Sequence, residues 1–130
     1  VDLLLEQRGV KIKGGTMKLG GRPIKLIEGT KIHEAYKSDK VVERFRHRYH
    51  INPKYTRLAE KKGLVVSAYD ELDKTICGIE LKDSWIVGVQ FHPEFKSRPN
   101  RPSPIFLEFV RNAYLNQRKI LEKKGLTSLP

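Results

Sequence analysis

A histidine and a glutamate two residues apart carry the clearest chemical signal in this sequence. They lie in the run Gln-Phe-His-Pro-Glu-Phe at residues 90–95, which closes the apolar stretch 85–91. That stretch predicts a strand, and a strand sends residues i and i+2 to the same side, so His92 and Glu94 can lie together at its end. A carboxylate beside an imidazole fixes its tautomer and stabilises the imidazolium formed in catalysis. The spacing therefore predicts a general base with its orienting carboxylate, or a structural histidine beside a charged partner.

A general base of this kind needs a nucleophile, and the only cysteine of the chain is Cys77. Residues 75–81 have the pattern of a strand on which Cys77 shares a face with Ile79 and Leu81. A free cysteine packed among apolar side chains is inert. No Gly-x-Cys-x-Gly turn surrounds it, so we expect Cys77 to be structural. A single cysteine also excludes an internal disulfide and a multi-cysteine zinc site.

Residues 41–52 alternate between mainly apolar odd positions and mainly basic even positions. Period two predicts a strand with one apolar and one basic face, and Glu43 interrupts the apolar face near its start. Arg44, Arg46 and Arg48 are expected to share the basic face. Because arginine binds carboxylates through two parallel hydrogen bonds, this face is typical of an anion-binding surface. A solvated face, or ion pairs within the fold, would explain the same pattern.

The glycine-rich run Gly-Gly-Thr-Met-Lys-Leu-Gly-Gly at residues 14–21 is a weaker candidate for a binding loop. It lacks the Gly-x4-Gly-Lys-Ser/Thr spacing of a phosphate loop, and no long helix follows it. We interpret it as a turn or mobile flap around a short strand. The four histidines of the chain do not show metal-ligand spacing on one element, so no metal site is predicted.

The elements that position these residues follow from periodicity and from turn residues. Asn52 and Pro53 are typical of a helix start, and Gly63 is typical of a helix end. We place residues 85–91 in the centre of the sheet, covered on both faces, because they are apolar nearly throughout. The predicted strands are residues 16–19, 22–27, 41–52, 64–69, 75–81 and 85–91, and the predicted helices are residues 30–37, 53–62 and 105–124. This order predicts an α/β fold, a mixed sheet with flanking helices.

Composition sets the limits on function. The 130 residues make one domain, and 38% are hydrophobic, enough to form a core. No apolar run is long enough to cross a membrane, and no segment has the pattern of a signal peptide. Together with the single cysteine, this predicts a cytoplasmic protein. The net charge of +11 favours polyanions, whether nucleic acid, nucleotides or an acidic partner, without choosing among them.

Three motifs also carry a family resemblance. They are Gly-Gly-Thr-Met-Lys-Leu-Gly at residues 14–20, Val-Glu-Arg-Phe-Arg-His-Arg-Tyr at 42–49 and Gly-Val-Gln-Phe-His-Pro-Glu-Phe-Lys-Ser-Arg-Pro at 88–99. In combination they resemble the CTP synthase family, in the C-terminal part of its class I glutamine amidotransferase domain. The resemblance implies a partial flavodoxin-like amidotransferase domain over residues 1–115. Residues 116–130 are then expected to be the end of the last helix and a flexible tail.

The resemblance also implies a reaction. In this family a cysteine attacks the amide of glutamine, a histidine takes the proton, and a glutamate orients the histidine. By motif position His92 and Glu94 match the last two, and Arg48 matches an arginine that holds glutamine, whereas Arg44 and Arg46 receive no role. The ammonia released serves the amination of UTP to CTP in a synthetase domain that uses ATP and Mg²⁺. Phe45 stands where a histidine is common in the family.

The nucleophile half of the amidotransferase domain and the synthetase domain have no counterpart in these residues. We therefore expect the chain alone to be inactive and to bind no cofactor itself. Missing strands would leave a sheet edge exposed, so we expect a second copy of the chain as a partner, or else the upstream amidotransferase half or a synthetase chain. The alternatives are a non-catalytic amidotransferase-like module that docks on a partner and, from charge alone, a nucleic-acid binder.

Overall fold

The structure, a computed structural model, describes residues 1–3, 5 and 17–125. The glycine turn expected at residues 14 and 15 and the tail expected at 126–130 lie outside these residues. The strands are β1 (Asp2–Leu3), β2 (Lys18–Leu26), β3 (Lys40–His47), β4 (Tyr49–His50), β5 (Leu64–Asp70), β6 (Ile76–Leu81) and β7 (Val87–Val89). The helices are α1 (Lys31–Tyr36), α2 (Thr56–Glu60) and α3 (Pro104–Lys123), and short 3-10 helices span Pro53–Tyr55 and Pro93–Phe95.

Five of the strands form one sheet in the order β3-β2-β5-β6-β7, and β1 pairs with β4 beside it. Every one of these described pairings is antiparallel. The strands predicted at residues 64–69 and 75–81 are present as β5 and β6, and they pair as a hairpin with Val66 opposite Ile79. Its turn closes where the Asp70 amide donates to the Thr75 carbonyl at 2.9 Å. Helices packed on a sheet confirm the α/β class.

The segment before α1 differs from the prediction of two short strands separated by Gly20 and Gly21. β2 is one continuous strand, and both glycines pair within it, opposite Phe45 and Arg44 of β3. Gly20 has a φ of +83°, which glycine adopts without steric cost. A glycine pair thus marks an irregular point inside a strand rather than a turn, because the long partner β3 continues the ladder on both sides of it.

The prediction that residues 85–91 form a central strand is wrong for the residues described. Only Val87–Val89 is a strand, and it lies at the edge of the sheet beside β6. Apolar runs show that a segment is covered, but they do not show whether the cover is a strand, a helix or another chain. Here Trp85, Val87 and Val89 pack against the core as partly buried side chains.

The three predicted helices are present. Thr30 caps α1 by accepting from the His33 amide at 3.3 Å, and Asn52 caps the 3-10 helix before α2 by accepting from Lys54 at 3.0 Å. α1 packs against α3 and β5. None of the described helices combines the length and apolar character that crossing a membrane requires. The core cluster consists of Ile24, Leu26, Ile32, Phe45, Ala68, Cys77, Phe91 and Ile105.

Candidate active site

The segment that carries His92 and Glu94 is anchored to two strands of the sheet, β6 and β3. The Gln90 amide donates to the Cys77 carbonyl at 2.9 Å, and the His92 amide donates to the Arg44 carbonyl at 2.8 Å. Between them the Phe91 ring is 3% exposed and packs edge-on against Phe45, with centroids 6.1 Å apart. The buried ring therefore fixes the backbone from which the His92 side chain leaves the core.

The structure brings His92 and Glu94 together. His92 Nδ1 lies 2.5 Å from Glu94 Oε1, and the two side chains are 38% and 51% exposed. The hydrogen bond from His92 holds the pKa of Glu94 below its usual range, so the carboxylate stays ionised as an acceptor. With Nδ1 facing the carboxylate, Nε2 is the nitrogen that can take up a proton. The pair thus has the geometry of a general base with its orienting carboxylate.

The backbone route to this contact differs from the predicted one. Glu94 does not continue a strand; it lies in the 3-10 helix Pro93–Phe95, which begins directly after His92. Pro93 suits the first helical position, because its fixed φ favours a helix and no amide hydrogen is needed there. The turn brings Glu94 back beside the imidazole, and the Phe95 ring lies 5.3 Å from that of His92.

Cys77 is unsuited to act as the nucleophile. It lies in β6, is 2% exposed and belongs to the hydrophobic core. Burial raises the pKa of its thiol to about 12, so the reactive thiolate is suppressed at neutral pH. The prediction that Cys77 is structural is confirmed by this burial.

The structure does not keep the three arginines on one strand face. β3 ends at His47, and Arg48 occupies a bend before β4. Arg44 and Arg46 are exposed on β3, as predicted, whereas Arg48 is half-buried. Arg48 follows Arg44 by four residues, about 13 Å of extended chain. The alternation that predicted one continuous strand cannot detect a bend, since a bend changes no residue type.

Sequence reasoning missed a buried cluster of charged side chains that begins at Lys18, the first residue of β2. Lys18 is 1% exposed, and its ammonium contacts Asp70 Oδ2 at 2.9 Å and Asp73 Oδ2 at 2.6 Å. The Arg22 guanidinium reaches the same two carboxylates at 2.5 and 3.0 Å. The cluster joins β2 to the β5–β6 turn. No periodicity predicts it, because its members are about 50 residues apart in the chain.

Among the residues that the structure describes, no three His, Cys, Asp or Glu side chains are grouped to hold a metal ion. A cavity of about 400 Å³ lies beside the β5–β6 turn. It is lined by Leu5, His50, Ile51, Pro53, Thr56, Tyr69, Asp73, Lys74, Thr75 and Ile76. Neither His92 nor Glu94 lines it, so this cavity is separate from the candidate site.

Comparison with known proteins gives the family. A family model, "Glutamine amidotransferase class-I", matches residues 3–112. The CTP synthase of Roseiflexus castenholzii is 52% identical over 114 residues, 87% of this chain and 20% of that protein. The CTP synthase of Archaeoglobus fulgidus is 50% identical over 120 residues, 92% of this chain and 23% of that protein. The chain thus spans about a fifth of the length of these curated relatives.

A solved structure shows the same relationship. The glutaminase domain of Trypanosoma brucei CTPS, described with bound acivicin, superposes with a TM-score of 0.71 at 35% sequence identity. The match covers 76% of this chain and 40% of that chain. The sequence resemblance and the fold therefore agree. This chain belongs to the class I glutamine amidotransferase family and corresponds to a part of the amidotransferase domain of CTP synthases.

Proposed function

We propose that this chain supplies the general base and its orienting carboxylate to the glutamine-hydrolysing site of a CTP synthase. His92 is the base and Glu94 orients it. The observation that supports this assignment is the 2.5 Å contact between His92 Nδ1 and Glu94 Oε1 at a half-exposed position. A buried structural pair would not leave the imidazole accessible to a reacting group.

The proposed chemistry needs a cysteine from outside this chain, because Cys77 is buried in the core. His92 Nε2 takes the proton of that thiol, and the thiolate attacks the amide carbon of glutamine. The imidazolium, stabilised by Glu94, returns the proton to the departing nitrogen, so ammonia leaves and a thioester remains. Water then hydrolyses the thioester to glutamate. Arg48 is proposed to hold the carboxylate of glutamine through its guanidinium.

The chain alone is accordingly proposed to be inactive, since a base without its nucleophile forms no thioester. In the assembled site, the ammonia released from glutamine would serve the amination of UTP to CTP in a synthetase domain with ATP and Mg²⁺. Assembly with the missing half of the amidotransferase domain, or with a chain that contains it, is part of this proposal.

A chimera tests the assignment. The 114-residue matching segment of the Roseiflexus castenholzii CTP synthase is replaced by residues of this chain, and glutamate release is measured. We expect activity in the chimera, a loss of about 10²–10⁴-fold in His92→Asn, and a smaller loss in Glu94→Gln. Arg48→Ala should raise KM for glutamine, and CTP formation from added ammonium chloride should survive in every variant.

The ammonium chloride control separates folding from chemistry. A chimera that makes CTP from ammonia but releases no glutamate would contradict the proposed function. Full glutamine-dependent activity in His92→Asn would contradict the assignment of the base.

A docking module without catalysis is the second candidate, favoured by the exposed apolar side chains of α3. The same chimera distinguishes the two. A chimera that makes CTP from ammonium chloride but hydrolyses no glutamine would favour the docking module.

A further inference from the structure

Glu43 is a buried carboxylate on the face of β3 that is otherwise apolar. It is 2% exposed, and its neighbours on the same face, Val41 and Phe45, pack in the core. Burial raises the pKa of Glu43, and the nearby Lys96 ammonium and Tyr36 hydroxyl oppose that shift. Tyr36 donates to Glu43 Oε1 at 3.1 Å, whereas Oε2 is buried without a partner among the described residues. Burying a carboxylate among apolar side chains costs free energy unless it is paired, so a role for Glu43 is expected.

Lys96 connects Glu43 to the candidate active site. It directly follows the 3-10 helix Pro93–Phe95, which contains Glu94. Its ammonium donates to the Val42 carbonyl and lies 3.6 Å from Glu43 Oε1. The Lys96 side chain is 45% exposed, so it spans from the surface to a buried acceptor.

The two ends of the active-site segment are therefore held by three consecutive residues of β3. At one end the His92 amide donates to the Arg44 carbonyl at 2.8 Å. At the other end Lys96 reaches Val42 and Glu43. Glu94 lies between these two ties. The second tie lies directly after the 3-10 helix that carries Glu94.

We propose that Glu43 is a positioning residue of the glutaminase site, which acts through Lys96 to set the orientation of Glu94 against His92. This inference rests on the proposed function of the His92–Glu94 pair. Glu43 touches neither member of the pair, so its effect is carried by the 3-10 helix.

The chain itself provides one test that needs no activity. The carboxyl pKa of Glu94 and the ring tautomer of His92 are measured by ¹³C and ¹⁵N NMR. In Glu43→Gln and Lys96→Met we expect the pKa of Glu94 to rise toward its usual range and the Nδ1–H tautomer to lose population. Lys96→Arg, which keeps the charge and the reach, should behave as the wild type.

Glu80→Gln is the matched control. Glu80 is also buried, at 5% exposure, and its carboxylate lies 3.7 Å from the Lys31 ammonium. It belongs to β6, and its carboxylate accepts from the Lys31 amide at the start of α1 at 3.0 Å. We expect Glu80→Gln to lower stability and to leave the Glu94 pKa and the His92 tautomer unchanged.

In the chimera described above, Glu43→Gln and Lys96→Met should each lower kcat for glutamine by on the order of tenfold with little change in KM, because the substrate contacts remain. The double variant should be no worse than either single one. Lys96→Met tests the proposal even if Glu43→Gln does not fold. Unchanged NMR signals and kcat in Lys96→Met would overturn the inference while leaving the proposed function standing. A wild-type chimera without glutaminase activity would instead contradict the proposed function, and the NMR result would still decide whether Glu43 positions Glu94.

Discussion

Two groups of residues with similar spacing, the His92–Glu94 pair and the three arginines of residues 44–48, differ in where the fold places them. His92 and Glu94 were expected together from the i, i+2 rule, and a 3-10 turn brings them together by another route. Arg48 was expected beside Arg44 and Arg46, but a bend at the end of β3 separates it from them. Local spacing thus predicted the contact of His92 with Glu94 but failed for the arginines of residues 44–48. One irregular residue changes the direction of every side chain that follows it in the strand.

At the residue scale, Cys77 should resist alkylation in the folded chain. It is 2% exposed, so a reagent cannot reach the sulfur, and burial raises its pKa to about 12, so little of the reactive thiolate is present. We expect iodoacetamide to label it at least about 100-fold more slowly in buffer than in denaturant at the same pH. Rapid labelling of the native chain would show that β6 opens or that Cys77 is accessible, and the assignment of Cys77 as structural would then fail.

At the scale of elements, the ion-pair cluster of Lys18, Arg22, Asp70 and Asp73 makes β2 and the β5–β6 turn one unit. Burial alone would raise the pKa of Asp70, but hydrogen bonds from Arg22 and Lys18 outweigh it and hold the pKa below its usual range. A carboxylate with a lowered folded pKa contributes stability above its unfolded pKa, about 3.9, and loses it as the pH falls through the folded pKa.

We therefore expect the free energy of unfolding to fall steeply between about pH 5 and the folded pKa of Asp70. Asp70→Asn should cost about 3 kcal/mol at pH 7, because it leaves the buried Lys18 partly unpaired, and it should flatten the acid slope. Urea titrations at several pH values measure both effects. Glu71→Gln is the control, since Glu71 pairs with the 65% exposed Lys40 and should cost no more than about 1 kcal/mol. An equal acid slope in wild type and Asp70→Asn would refute this account.

The β5–β6 pairing depends on close backbone approach at Gly78. A Cβ there would lie 2.7 Å from Ala68 Cβ and 3.1 Å from the Ala68 amide nitrogen. Relieving this clash would require the backbone of β5 to shift, so Gly78→Ala should lower the free energy of unfolding by about 1–3 kcal/mol. At Gly88 the contact is 3.2 Å to the flexible Ile79 side chain, and Gly88→Ala should cost less. Thermal unfolding of both variants checks the order, and the reverse order would show that the sheet relaxes at Gly78.

At the scale of the whole molecule, α3 has apolar side chains on two sides, and the residues that the structure describes cover only one of them. Ile105 is 6% exposed and packs in the core. Exposed apolar side chains on the same helix are Phe106, Leu107, Phe109, Val110, Tyr114, Leu115 and Ile120. A helix that is apolar all round is usually buried on all sides. The described core therefore uses only part of the apolar surface of α3.

We expect the chain to associate with itself or with the missing half of an amidotransferase domain. Sedimentation at micromolar concentration should show a dimer or larger species for the chain alone. Val110→Glu with Tyr114→Glu, at side chains that are 62% and 57% exposed, should shift it to monomer without loss of secondary structure. Lys119→Glu, on a polar position of the same helix, is the control. A cooperative wild-type monomer across that concentration range would refute the prediction.

The local features of this protein were determined by its sequence alone. Alternation predicted β3 as far as His47, the strand patterns of residues 64–69 and 75–81 predicted β5 and β6, and Asn52-Pro53 with Gly63 predicted a helical segment that the structure has as a 3-10 helix followed by α2. Each of these depends on neighbours within a few residues. The motif around His92 indicated the family and the candidate pair. The tertiary structure decided the features that depend on contacts between residues far apart in the sequence. It placed the apolar stretch 85–91 at a sheet edge, buried Lys18 against Asp70, and joined Glu43 to Lys96. Such contacts arise from how the chain closes on itself, and no local pattern records which distant side chains will meet.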